Sequence, residues 1–147
     1  MHVRSQIRHR VIEGLSDGLL AHYRVFGSRR FALNRTEAAP IVDVRFTGVD
    51  IETHVMGDVR LNTAAMQIRV TRTGPSDTLD DDLDADEVAV TAALASVDFA
   101  DLLEERPELV RIGFAEDGQT GEPLGAIVMQ YRVEWRAKRN DPESALE

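Results

Sequence analysis

The segment Leu124–Arg136 constrains the fold more than any other part of the chain. Ile127, Met129, Tyr131, Val133 and Trp135 alternate with Val128, Gln130, Arg132, Glu134 and Arg136. That period of two is a β-strand with one apolar face. Such a strand belongs to a sheet that is covered on one side, so the remaining segments must supply both neighbouring strands and a covering layer.

The covering layer reads as two helices. Over residues 5–20, Ile7, Val11, Leu15 and Leu19 recur every four positions with Ile12 beside them, and Asp17-Gly18 is a stop signal. Arg4 and Arg8 share the N-terminal end of that stripe, where they either snorkel off the core edge or face another subunit. The second helix follows Gly74-Pro75-Ser76-Asp77 and runs to about Ser96, with Leu79, Leu83, Val90, Leu94 and Val97 on one stripe. Asp80, Asp81, Asp82 and Asp84 occupy its first turns, where the helix dipole favours acids. Asp86 falls on the apolar side, either at the rim or paired with an arginine. Phe99, Leu102 and Leu103 add a further turn, stopped by Arg106-Pro107.

The neighbouring strands follow from alternation. A short strand is expected at His22–Phe26, and a loop from Gly27-Ser28-Arg29-Arg30 to Pro40. Ile41–Phe46 sets Val42, Val44 and Phe46 against Asp43 and Arg45, and Val49–Met56 is a possible second run. Val59–Thr73 places Met66, Ile68 and Val70 inward and Gln67, Arg69 and Thr71 outward, with a bulge expected at Ala64-Ala65. Leu109–Phe114, with Val110, Ile112 and Phe114 on one face, forms a hairpin with the alternating segment through Asp117–Gly121. The expected fold is α+β, a mostly antiparallel sheet with two helices on one face, in the order α-β-β-β-α-β-β. Residues 1–136 form a single domain, and residues 137–147 a polar, flexible tail.

Composition removes several chemistries. The 147 residues suit one domain, and the absence of cysteine excludes disulfides, zinc–thiolate sites, iron–sulfur clusters and thiol nucleophiles. No apolar run approaches the roughly 20 residues of a membrane span, and the first residues lack the apolar region of a secretory signal. The net charge of −9 opposes nucleic-acid binding by the molecule as a whole. That charge is unevenly spread. Residues 1–73 carry 11 Arg and 7 acids (+4), residues 74–123 carry 15 acids and 2 Arg (−13), and residues 124–147 balance at four each. Outward strand positions hold Arg45, Arg69, Arg111, Arg132 and Arg136, a basic sheet face. This face is open to three readings: solvated with local pairs to Asp43 and Glu134, an inter-subunit contact, or a surface that passing DNA meets.

Motifs for catalysis or metal binding fail on inspection. Asp80, Asp82, Asp84 and Asp86 mimic a calcium loop, but Ala85 stands where the loop needs glycine and Thr91 where it needs glutamate. His2, His9, His22 and His54 have no ligand spacing. Nucleophile-elbow, P-loop and dinucleotide-binding patterns are absent. Ser28, His54 and Asp58 share only residue type with a triad. The expectation is a non-enzyme with no cofactor and no metal.

The assembled pattern resembles a known family. Its carriers are the N-terminal amphipathic helix, Ser28-Arg29-Arg30, Pro40-Ile41-Val42-Asp43-Val44, Gln67-Ile68-Arg69-Val70, Leu79-Asp80-Asp81-Asp82-Leu83, and Pro123-Leu124-Gly125-Ala126 with Tyr131-Arg132-Val133-Glu134-Trp135. Over about residues 1–136 the chain resembles the tail terminator (minor tail protein U-like) proteins of long-tailed bacteriophages and gene transfer agents. The resemblance implies a virion protein at the tail–neck junction, assembled in the host cytoplasm. It implies a hexameric ring that caps the tail tube, stops its polymerisation and meets a head–tail connector or stopper protein. DNA would be only cargo in the lumen, and no membrane is involved. The family carries no catalytic residues over. Another neck ring protein (head completion or stopper) or a small cytosolic ligand-binding domain is the alternative.

A ring joins unlike surfaces of successive copies, and the segregated charge offers two. The candidate interface residues are therefore Arg4, Arg8, Arg29, Arg30 and Arg35 on the basic side and Asp80, Asp81, Asp82, Asp84 and Asp86 on the acidic side. Pairing of this kind fixes register and orientation more than affinity.

Overall fold

The computed structural model describes residues 2–19, 23–27, 40–53, 59–74, 77–99, 101–103, 105–117, 124–138 and 141–146. The elements in chain order are α1 (Val3–Gly18), β1 (Arg24–Gly27), β2 (Ile41–Thr53), β3 (Val59–Thr73), α2 (Leu79–Ala95), β4 (Glu108–Asp117), β5 (Leu124–Lys138) and β6 (Asp141–Leu146). The strands form one sheet in the order β1-β2-β3-β5-β4, with β6 paired to the end of β5. Only the β1–β2 pair is parallel. The expected α+β class is therefore observed, with one addition. Residues 137–147, expected as a flexible tail, include the end of β5 and strand β6 along its edge.

The alternation in β5 becomes one wall of the core. Ile127, Met129 and Tyr131 stand opposite Val70, Ile68 and Met66 of β3, which in turn face Val42, Val44 and Phe46 of β2. Apart from the partly buried Phe46, these side chains are buried, and the helices cover them from the same side. Val3, Ile7, Val11 and Leu15 are the buried stripe of α1, one residue per turn. Leu79, Leu83, Val90 and Leu94 are that of α2, with Val97 just beyond it. Fully burying an aliphatic side chain contributes roughly 1.5–3 kcal/mol, so these stripes hold the two layers together.

Two glycines permit the close approaches. A Cβ on Gly14 of α1 would lie 2.2 Å from Cγ2 of Val97, and one on Gly125 of β5 would lie 2.8 Å from Cδ2 of Leu79. Helix α2 ends under a side-chain clamp. Arg106 donates to the carbonyls of Leu94 (2.7 Å) and Val97 (2.9 Å), with its guanidinium 5.7 Å from the Phe99 ring centre. A cation on the last carbonyls complements the negative end of the helix dipole.

The structure corrects several expectations. The runs Ile41–Phe46 and Val49–Met56 are one strand ending at Thr53, and its register shifts between Phe46 and Gly48. The bulge is thus on β2, whereas β3 pairs with β5 without a break through Ala64-Ala65. The inward residues of β3 here are Asn62 and Ala64, in phase with Met66. A second shift between Leu109 and Arg111 puts Leu109, not Val110, on the core side with Ile112 and Phe114.

Asn62 explains the misplaced bulge, because a polar residue holds a core position. It is fully buried between Ile51 and Trp135, and neither amide atom has a hydrogen-bond partner among the described residues. An unpaired buried amide bears its whole desolvation cost. Asn62→Val is therefore expected to stabilise the fold by about 1–2 kcal/mol. The measurement is a urea midpoint that rises with unchanged slope; a lower midpoint would mean that water or a partner holds the amide.

Candidate functional site

The sheet face away from the helices is an organised polar surface. The registers align Arg45, Gln67, Gln130 and Arg111 in one row across four strands, with Ala65, Arg132 and Glu108 in the next. Asp50, Thr63 and Glu134 follow, then Glu52, Leu61 and Arg136. Asp43 and Arg69 stand in the row before Arg45. All five predicted arginines therefore share this face, as their strand parity implies.

The face is nevertheless mixed in sign. Asp43, Asp50, Glu52, Glu108 and Glu134 lie on it with the five arginines and Arg24 of β1, so it nearly balances. Arg45 pairs with Asp43. Arg132 reaches Glu108 at 2.5 Å and Glu134 at 3.9 Å. Cross-strand neighbours of opposite sign stabilise the sheet modestly and neutralise the field a polyanion would need. Between the two register shifts lies a shallow hollow of about 350 Å3. Gly48 and Ala65 contribute little side chain there, and Thr47, Asp50, Val110 and Arg132 rim it.

The predicted acidic flank divides. Asp80, Asp81 and Asp84 are exposed on α2 with no ion-pair partner among the described residues, and Asp82 is half-buried. Asp86, grouped with them by sequence, is used inside the subunit. It is fully buried and accepts from Nε (2.7 Å) and Nη2 (2.6 Å) of Arg72 and from the Tyr23 hydroxyl. It is thus removed from the interface candidates, while the alternative of pairing with an arginine holds. Burial, then the hydrogen bond to the Asp86 carboxylate, pushes the Tyr23 phenol up to about 12. The triad ties β3 and the residue before β1 to α2.

Among the basic candidates, Arg4 turns back to His2, donating its backbone N–H to Nδ1 at 3.1 Å. Arg8 lays its stem beside Gly27 of β1, the snorkelling arrangement. Arg29, Arg30 and Arg35 lie outside the described residues. An acidic groove that sequence reasoning missed runs between α1 and the turn after α2, lined by Glu13, Asp17, Asp98 and Asp101. Arg10 bridges it, donating to Oδ2 of Asp101 at 2.7 Å and to the Asp98 carbonyl at 3.2 Å. No spacing in the sequence links positions so far apart. Among the described residues no group of three His, Cys, Asp or Glu is arranged to hold a metal, and no helix is long and apolar enough to cross a membrane.

The exposed large apolar side chains are sorted by position. Of the five among the described residues, Ile51 (57%) is on β2, and Leu109 (38%), Val110 (55%) and Phe114 (64%) are on β4; Val88 of α2 is elsewhere. Both strands are sheet edges over those residues. Compared with known proteins, the chain matches no protein-family model and no curated sequence at a significant level.

Proposed function

We propose that this chain is a structural ring subunit at the neck of a long-tailed virus particle or gene transfer agent. In this reading it is a tail terminator whose hexamer caps the tail tube, stops its growth and joins it to a connector or stopper protein. The support is the resemblance in element order together with one structural observation. Asp80, Asp81 and Asp84 form an exposed acidic flank without a partner among the described residues, on a chain whose first 73 residues are net positive. Unlike surfaces of this sort join copies head to tail. The virion would be its location, and DNA would pass through the lumen without being bound.

The test is native mass and particle imaging of the purified chain, alone and with tail-tube protein. A ring seated on a tube end is the expected result. A permanent monomer without tube affinity would overturn the reading and favour a small-ligand domain using the hollow at Gly48. A ring on the connector that ignores the tube would instead identify a different neck protein. Charge reversal by Asp81→Arg with Asp84→Arg is expected to impair the ring. An intact ring would remove the acidic flank from the interface.

A further inference from the structure

We infer that successive copies join edge to edge, with β4 of one pairing to the distal half of β2 in the next. Among the described residues, β4 pairs only with β5, and β2 beyond Val44 pairs only with β3, because β1 covers just Ile41–Val44. Among the described residues each copy therefore leaves β4 open on one side of its sheet, with β6 beyond it on that side, and the distal half of β2 open on the other. Monomeric sheets blunt such edges with lysine, proline, inward charge or bulges, and each of these edges carries one register shift. Neither Glu108–Asp117 nor Arg45–Thr53 contains lysine or proline, and four of the five exposed large apolar residues sit on these edges.

Three features make a second copy the occupant. The first is strand direction. From β2 through β3 and β5 to β4 each neighbour is antiparallel, so β4 runs opposite to β2. A neighbouring copy in the same orientation then presents its β2 antiparallel to β4, and the sheet continues without a change of pattern. The second is the apolar match. On the helix-covered side, β4 offers Leu109, Ile112 and Phe114, and β2 offers Val49 and Ile51. The third is the charge match. On the open side, Arg111 of β4 would lie alongside Asp50 and Glu52 of β2, which are unpaired among the described residues. With Arg111 opposite Glu52, Ile112 falls opposite Ile51 and Phe114 opposite Val49, so one register keeps every side chain on its face and satisfies both matches.

The contact is staggered. The rows of β4 align with the half of the sheet that includes β1, while the free half of β2 lies toward the opposite end. Copies joined this way step along the strand direction, as strands do in a closed, tilted barrel. Closure into a ring rests on the functional reading above; the edge contact does not.

The chain has no cysteine, which allows a clean crosslinking test. The variants are Phe114→Cys, Val49→Cys and both together, oxidised mildly and run without reductant. The double variant should give a ladder of linked species, and a mixture of the two single variants a linked dimer only. Dimers from Phe114→Cys alone would show β4 pairing with itself and overturn the inference. Absence of any linked species would overturn it too. As a second measure, Phe114→Lys and Ile51→Lys change exposed positions, so folding is expected to persist by circular dichroism. Self-association should weaken at least about tenfold in each. If particle imaging still shows a ring with Phe114→Lys, the edge contact fails and the ring reading stands. If the unmodified chain never forms a ring with itself or on tube protein, the ring reading fails, and the crosslinks report on the edge by themselves.

Discussion

Replacing Asp86 with alanine is expected to cause one of the two largest losses of stability in this protein. The carboxylate is fully buried and accepts two hydrogen bonds from Arg72 and one from Tyr23. Its removal strands a guanidinium whose side chain is only 18% exposed. Breaking one side of such a pair costs about 3–5 kcal/mol, mostly from the uncompensated charge left behind. For a chain of this size that lowers the melting temperature by roughly 10 °C. Replacing the whole group is different. Asp86→Leu with Arg72→Met and Tyr23→Phe leaves no stranded polar atom, and near-wild-type stability is expected. A triple variant as unstable as Asp86→Ala would show that the loss comes from packing rather than charge.

The same group gives an alkaline limb. The Tyr23 phenol is raised from 10.0 to about 12 by burial and by its bond to Asp86, so the folded state holds its proton more tightly than the unfolded state does. That contribution is complete below pH 10 and is lost as pH rises through about 12. Tyr23→Phe should flatten the fall in stability across this window. Tyr131, the other tyrosine, is also raised by burial, and its phenolate absorbance remains as a reference in the variant.

Periodicity made part of this legible. The inward residues of β5 are those the alternation picks, all nearly fully buried, because a central strand keeps one phase for its whole length. Asp86 could be placed on the apolar side of α2, since helix period alone decides that. Its partners could not be named, because Tyr23 and Arg72 reach it from other elements. The five arginines were correctly assigned to one face. That acids nearly balance the face is not visible in sequence, since Glu52 shares a row with Arg136 only through the registers of three strands. The bulge expected at Ala64-Ala65 falls on β2 instead, for a local reason. Leu61 and Thr63 suggest an apolar phase, whereas the fold buries Asn62. The β1–β2 pairing and the docking of β6 depend on contacts that no window of sequence contains.

Trp135→Ala is the other large loss to expect. This side chain is the largest among those fully buried and lies at the end of the core away from the start of α2. Its ring meets Phe46 edge-on, with centroids 6.4 Å apart and planes at 68°. Truncating a buried aromatic side chain costs about 3–5 kcal/mol, set by how far the surroundings collapse into the space. Collapse is limited here, because β5 is paired with β3 on one side and, from Arg136 on, with β6, so a value toward the upper end is expected. Trp135→Phe keeps most of the volume and should lose less than half as much. The Phe46 contact separates packing from the specific ring geometry. A cycle of Phe46→Leu, Trp135→Leu and both should give a coupling of about 1 kcal/mol, the worth of an aromatic pair beyond its buried area. Zero coupling would assign the stabilisation to volume alone. Trp135 is the chain's single tryptophan, so its emission follows this end of the core directly. In the wild type its denaturant midpoint should coincide with that of circular dichroism, as one cooperative core requires. An earlier fluorescence transition would mean that the edge where β2 turns into β3 opens before the helices leave the sheet.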